Sequence, residues 1–220
     1  MERLEDLNLN GLKIYQDDEK YCFTSDAVLL SRFALIKKGD EVADFCSGSG
    51  IVGIHLFGLN PTIKSITLFE MQTDLYELSK KSVKLNGLED KFSLINCKVQ
   101  DIEKSYNEKF SLIVCNPPYM PEGRGDSAEN ERIAICKSEK YLKLDELVKS
   151  FSRCLKFGGR VCMVHRADRL AEIIYEFKKA NIEPKRLQMV KAKNKDPYLV
   201  LIEGVKGGKS GLKVLKEIEN

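Results

Sequence analysis

Four consecutive residues, Asn116-Pro117-Pro118-Tyr119, carry the strongest chemical signal in the sequence. They follow the apolar run Phe110-Ser-Leu-Ile-Val-Cys115, which has the length and residue types of a buried strand. A nitrogen with a delocalised lone pair, such as the exocyclic amine of adenine or an amide nitrogen, is a poor nucleophile. Strong acceptors aimed at both of its N–H groups hold it in place and favour pyramidalisation, which frees the lone pair. The Asn116 side-chain oxygen and the Pro117 carbonyl can act as these two acceptors. Neither proline has an N–H, and Pro118 restricts Pro117 to extended geometry, so the loop presents its carbonyls stiffly. Tyr119 adds a flat face on which a base can stack, worth about 1–3 kcal/mol. Asn116, Pro117 and Tyr119 are therefore the candidate catalytic residues.

A second cluster, Asp44-Phe-Cys-Ser-Gly48-Ser-Gly50-Ile-Val-Gly53, falls between a strand and a helix beginning near Ile51. Glycines there let the backbone turn sharply and approach a ligand that side chains would exclude. Glu70, with Met71 beside it, follows at about the spacing of an acid that hydrogen-bonds ribose hydroxyls. The glycine pattern alone also suits a nicotinamide dinucleotide. Two features favour S-adenosylmethionine instead. A helix precedes the first strand, and the Asp44 carboxylate would repel a pyrophosphate but suits a cationic amino acid moiety. Attack on a sulfonium methyl is mainly a matter of positioning and requires no metal and no covalent nucleophile. Asp101, ending a weak strand region, could accept from an adenine amino group.

These residues need a scaffold, and from residue 41 onward the sequence alternates strand and helix. Buried strands are predicted at 41–45, 65–69, 92–95, 110–115 and 160–164, with two more at 187–192 and 198–202. Helices are predicted at 73–85, with Leu75, Leu78, Ser82 and Leu85 on one face and Asn86-Gly87 as the stop, and at 144–155 and 168–180. Before the first strand, Ser25 can cap a helix through Ala27, Val28, Leu30, Phe33 and Ala34. Repeated β-α units predict an α/β, Rossmann-like, mostly parallel seven-stranded sheet covered on both faces. A segment 1–40 would precede a catalytic domain at 41–204, and a glycine- and lysine-rich tail, read as loop, would follow at 205–220. The stretch 120–140 has no clean period. A loop of that length after a strand end is more often functional than not.

The chain has 220 residues, enough for one α/β domain, and no apolar run long enough for a membrane helix. Its first residues lack a signal-peptide layout, which predicts a cytoplasmic protein. Seven cysteines without a C-x-x-C pair argue against a disulfide framework and a zinc site, and Cys97, Cys115 and Cys162 lie in apolar runs. The net charge is +3 but unevenly placed: residues 178–195 hold seven basic residues and one acid, whereas residues 1–44 hold ten acids and six basic residues. A basic C-terminal third suits a polyanionic partner. His165 and His55 read as structural, because the chemistry needs no base with a tuned pKa.

The Asn-Pro-Pro-Tyr set and the acid-glycine-acid layout resemble class I S-adenosylmethionine methyltransferases that act on amino nitrogens. Over residues 16–208 the chain is similar to the bacterial tRNA1(Val) adenine-37 N6-methyltransferase family, including the pre-domain motif Tyr21-Cys-Phe-Thr-Ser-Asp26-Ala-Val-Leu-Leu30. The resemblance implies that Asp26 borders the methionine end of the cofactor and that Asp44, Gly48 and Gly50 form the first cofactor motif. It further implies Glu70 as the ribose acid, Asp101 as the adenine-contacting acid, and Asn116 to Tyr119 as the catalytic loop. The family often has threonine or glycine where this chain has Cys46-Ser47. Expected tRNA contacts are Arg186, Lys191, Lys193 and Lys195, with Arg124 and Arg132 in the long loop. A monomer is the simpler expectation. Competing functions are rRNA or DNA adenine methylation, methylation of a protein glutamine, as in a release factor, and an RNA-binding module that retains the fold without catalysis. Glutamine-modifying enzymes usually carry a longer helical segment before the first strand, and DNA enzymes a target-recognition domain.

Overall fold

The computed structural model describes residues 2–17, 25–118 and 142–220. The described elements are β1 (Glu2–Asp6), β2 (Lys13–Asp17), α1 (Ser25–Phe33), β3 (Glu41–Phe45), α2 (Ile51–Leu59), β4 (Ser65–Glu70), α3 (Thr73–Leu85), β5 (Phe92–Asn96), β6 (Phe110–Cys115), α4 (Leu144–Cys154), β7 (Leu155–Arg166), α5 (Leu170–Lys179), β8 (Ile182–Lys191), β9 (Pro197–Lys206), β10 (Lys213–Val214) and β11 (Ile218–Glu219).

The main sheet runs β10-β8-β9-β7-β6-β3-β4-β5, with β11 also paired to β8. All neighbouring pairs from β5 to β7 are parallel, and β9 runs antiparallel between β7 and β8. The strands β3, β4, β6, β7 and β8 therefore point their carboxyl ends to one edge, as the alternating pattern requires of a sheet joined by helical crossovers. Both faces are covered. Ala27 and Leu30 of α1 and Ile51 and Ile54 of α2 share one apolar cluster with Val42, Ile66, Leu112 and Val114. Leu147 and Phe151 of α4 and Ile173 and Phe177 of α5 share the other with Ala43, Phe45, Ile113 and Met163. Consecutive residues of one strand feed opposite clusters, so β3 and β6 carry buried residues on both faces rather than an alternation of buried and exposed ones.

The seven-stranded expectation holds for β3–β9, but among the described residues the sheet has nine strands. Its two additions, β10 and β11, fall in the tail read as loop, where Lys213 lies opposite Arg186 and Ile218 opposite Val190. The predicted strands at 160–164, 187–192 and 198–202 are longer or shifted, because β7, β8 and β9 pair with one another along most of their lengths.

The N-terminal β1–β2 hairpin was not anticipated. It packs on α3: Asn86 accepts from the Lys13 N–H at 3.0 Å and donates to the Lys13 carbonyl at 2.7 Å, and the Ser82 hydroxyl accepts from the Tyr15 N–H at 3.0 Å. Ile14 is wholly buried. The expected stop of α3 is present, with Gly87 at φ +63° and its N–H on the Lys84 carbonyl at 3.1 Å. Leu85, however, is 45% exposed, and Val83 takes its place in the core. Leu85 points in nearly the same direction as buried Leu78, seven residues earlier, so its exposure comes from its place as the last residue of α3. Ser25 opens α1, but its hydroxyl accepts from Asn220 at 2.7 Å rather than capping.

Candidate active site

The glycine turn leaves the carboxyl end of β3 through Cys46, whose φ of +58° is a left-handed conformation costly for a residue with a Cβ. Gly48 (φ +56°) has open space where a Cβ would project, and Gly50 (φ +87°) has Leu68 and Ser79 at 3.1 and 3.2 Å from that point. Gly48 thus leaves room for a ligand, whereas Gly50 lets the start of α2 press against β4 and α3. Gly50 has no side chain to cap α2, and Asp44 supplies that contact from the strand, its Oδ2 accepting from the Gly53 N–H at 2.9 Å.

Asp44 was expected to suit a cationic ligand, and one of its two oxygens is committed to this cap. Among the described residues its Oδ1 is buried without a hydrogen-bond partner, as are the Ser47 Oγ and the Asn116 Oδ1. Burial pushes the Asp44 carboxyl up to about 8, against the Gly53 N–H, which favours the ionised form, and with a smaller upward push from Glu70.

Glu70 ends β4 and is 6% exposed. Its Oε2 accepts from the Gly48 N–H and its Oε1 from the Gln72 N–H, each at 2.8 Å. It thereby ties the two turns together, and burial raises its pKa against the pull of these N–H groups. Met71 follows it, half-buried. Asp101 does not end a strand: β5 stops at Asn96, and Asp101 is exposed in a one-turn 3₁₀ segment, Val99–Asp101. Asp26 is 7% exposed in the first turn of α1.

Asn116 and Pro117 leave β6 beside the glycine turn, since Phe45 and Cys115 are register partners. Pro117 is buried and Asn116 half-buried. Tyr119, Arg124 and Arg132 lie outside the described residues, as does the stretch from Tyr21 to Thr24.

The basic stretch 178–195 is not one surface. Lys178 pairs with Glu183 and Lys179 with Glu176, at the opposite edge of the sheet from Lys193 and Lys195. Arg186, expected to contact a phosphate, has its guanidinium engaged within the fold. It pairs with Glu203 at 2.8 Å, donates to the Phe33 carbonyl at 2.8 Å and lies 4.4 Å over the Phe33 ring, because β8 directs it inward. Lys191 is held by Glu217 of the tail at 3.0 Å. Lys193 and Lys195 are exposed in the β8–β9 turn, at the same edge as Asn116.

Both histidines are buried in packing roles. The His55 Nδ1 shares a hydrogen bond with the Ser31 hydroxyl at 2.7 Å, and the His165 Nδ1 accepts from the Arg166 N–H at 2.9 Å. Sequence reasoning missed Ser47 as a site residue, although it stands inside the quoted turn; a hydroxyl among glycines was the available signal.

A family model described as Methyltransferase small domain matches residues 24–182, and the chain belongs to that family. It is 25% identical over 171 residues to the tRNA1(Val) (adenine(37)-N6)-methyltransferase of Shewanella frigidimarina, covering 74% of this chain and 67% of that protein. It is 23% identical over 197 residues to the protein of that name from a Flavobacteriaceae bacterium, covering 83% and 82%. Among solved structures, a predicted O-methyltransferase from Agrobacterium tumefaciens superposes with a TM-score of 0.69 at 18% identity, covering 88% of this chain and 86% of that one. The fold is that of class I methyltransferases, and the chain is a methyltransferase.

Proposed function

We propose that this protein methylates the exocyclic N6 of an adenine in tRNA, with adenine 37 of tRNA1(Val) as the specific target, using S-adenosylmethionine. The observation that carries this reading is the Asn116 Oδ1, a buried acceptor without a partner, in an Asn-Pro-Pro-Tyr loop beside the glycine turn. A buried acceptor left unpaired costs about 1–3 kcal/mol, a cost that a bound amine N–H would relieve. The names of the curated relatives support the same substrate.

The residues present fit the cofactor. The open space at Gly48 and the unpartnered Asp44 Oδ1 and Ser47 Oγ leave both room and acceptors for a cationic nucleoside. Asp26, Asp44, Gly48, Gly50, Glu70, Met71 and Asp101 would hold it, Gly50 through its effect on the turn and Glu70 with the lone pairs left by its backbone contacts. When bound, S-adenosylmethionine supplies an electrophilic methyl group. Asn116 and the Pro117 carbonyl accept the two amine hydrogens and fix the nitrogen in line, and Tyr119 stacks on the base. Lys193 and Lys195 neutralise tRNA phosphates, joined by Lys191 when it leaves Glu217, and by Arg124 and Arg132 of the long loop. These contacts position the RNA without reading its sequence. The target base must leave its stack, which costs least in an unpaired loop.

The test is methylation of bulk tRNA with labelled cofactor, followed by nucleoside analysis. N6-methyladenosine as the labelled product is expected. Efficient labelling of a glutamine-bearing protein, with tRNA that lacks N6-methyladenosine left unlabelled, would replace the nucleic-acid substrate with a protein one.

A further inference from the structure

We propose that Tyr198 is a second base-stacking platform, which receives an unpaired nucleotide next to the target adenine. The inference rests on the tRNA reading above and adds a residue that neither the glycine turn nor the Asn-Pro-Pro-Tyr loop includes. Tyr198 is the second residue of β9, at the carboxyl edge of the sheet, and is 43% exposed, a large side chain with apolar surface left in water. Its hydroxyl accepts from the Asn220 side-chain amide at 2.9 Å, and the same amide donates to the Ser25 hydroxyl at 2.7 Å. Asn220 is itself fixed, its backbone N–H resting on the Lys191 carbonyl at 3.0 Å. The tyrosine is therefore tethered at its tip, while no aromatic ring or cation packs on its face among the described residues. A pre-positioned ring loses little conformational freedom when a base settles on it.

The surroundings suit a nucleic acid strand. Lys193 and Lys195 stand exposed in the turn just before Tyr198, and neither forms an ion pair among the described residues. Opposing charges are close by: Asp196 lies in the same turn, and Glu217 and Glu219 on the tail, with Glu217 already neutralised by Lys191. An exposed aromatic with free lysines on one side is the combination that grips single-stranded RNA by base stacking and phosphate contact together.

Placement supports the same partner. Cys115 lies opposite Met163, and Arg166 opposite Leu199, so Tyr198 lies two strands across and three residues beyond the level of Asn116. With about 4.8 Å between strands and 3.3 Å per residue, the separation is roughly 14 Å. A nucleotide beside an extruded adenine can span that distance.

The experiment measures binding of a fluorescently labelled, unmodified tRNA transcript to the full chain over a range of salt concentrations. The variants are Tyr198→Ala, Tyr198→Phe, Tyr198→Trp and the pair Lys193→Ala with Lys195→Ala. Tyr198→Ala should weaken binding roughly 5- to 100-fold with the salt slope retained, because a stack releases no counterions. Phenylalanine and tryptophan should restore most of that loss, whereas the lysine pair should flatten the salt slope. Binding by Tyr198→Ala within about twofold of the parent would overturn the platform while the tRNA reading stands. Equal losses for Tyr198→Ala and Tyr198→Phe would also overturn it, because the hydroxyl tether and not the ring would then carry the effect. A parent protein that binds no tRNA would remove the platform and the tRNA reading together.

Discussion

The two edges of the central sheet are built on opposite principles. At the amino edge, Asp40 accepts from the Ser111 hydroxyl at 2.7 Å, the Lys37 N–H at 2.7 Å and the Arg160 Nη2 at 2.6 Å, and Arg160 also donates to the Leu35 carbonyl. A buried charge pair is retained there because each polar group has a partner. At the carboxyl edge, Asp44, Ser47 and Asn116 each keep a buried atom without one among the described residues, and Cys46 holds a left-handed backbone. The other unpartnered buried nitrogens, on Arg153 and Arg186, belong to guanidinium groups already paired through a sister nitrogen. Satisfied polar groups mark the edge that stabilises the fold, and unsatisfied ones mark the edge prepared for a ligand.

The largest expected effect breaks the saturated edge. Arg160→Ala strands Asp40 in the interior and should cost about 3–5 kcal/mol of stability. Urea unfolding would measure it, and a loss under about 1 kcal/mol would mean that Asp40 does not depend on this partner. Asn116→Ala tests the other edge. It should lower turnover by about 100- to 1000-fold and leave unfolding stability unchanged or slightly raised, since an unpaired buried acceptor is removed. Asn116→Asp should keep more activity than the alanine variant, because a carboxylate still accepts. Turnover of Asn116→Ala near the parent rate would remove Asn116 from the chemistry.

A subtler difference concerns pH. Asp44 titrates at about 8 in the fold against 3.8 for the ordinary side chain, so the native state holds this proton more tightly than the unfolded chain does. Its contribution to stability is full below about pH 4 and is lost as the pH rises towards 8. Asp44→Asn should be more stable than the parent at pH 8 and lack this part of the pH dependence. Each 1 kcal/mol gained would raise Tm by roughly 2–4 °C. Thermal unfolding at pH 5 and pH 8 reads this directly, and equal pH profiles would show that Asp44 is already ionised in the native state. The smallest effect is expected from removing Lys191, Lys193 and Lys195 together. The salt slope of tRNA binding should flatten by about 0.7–0.9 for each lost phosphate contact. An unchanged slope would move the docking surface towards the loop around Arg124 and Arg132.

Local pattern carried the central architecture. The apolar runs at 41–45, 65–69 and 110–115, the helix 73–85 with its Asn86-Gly87 stop, and the glycine turn all express short-range physics: burial on both strand faces, helical period and left-handed glycine. The same locality explains the errors. The sequence from 178 to 195 shows seven basic residues in a row of eighteen, yet a ten-residue strand carries its two ends to opposite edges of the sheet and turns Arg186 inward to Glu203. Asp44 reads only as a ligand acid because of its place before the glycines, and its second task, capping α2 where Gly50 has no side chain, leaves no mark in the sequence. The tail reads as loop because two-residue strands leave no periodic trace, and only β8 beside it gives Lys213 and Ile218 a partner. By itself the sequence determined which residue types meet at the carboxyl edge, because strand direction and glycine turns are encoded over a few residues. Only the tertiary structure decided which of their atoms are already satisfied, since hydrogen-bond partners such as Gly53, Glu203 and Glu217 are chosen by proximity in space and not by spacing along the chain.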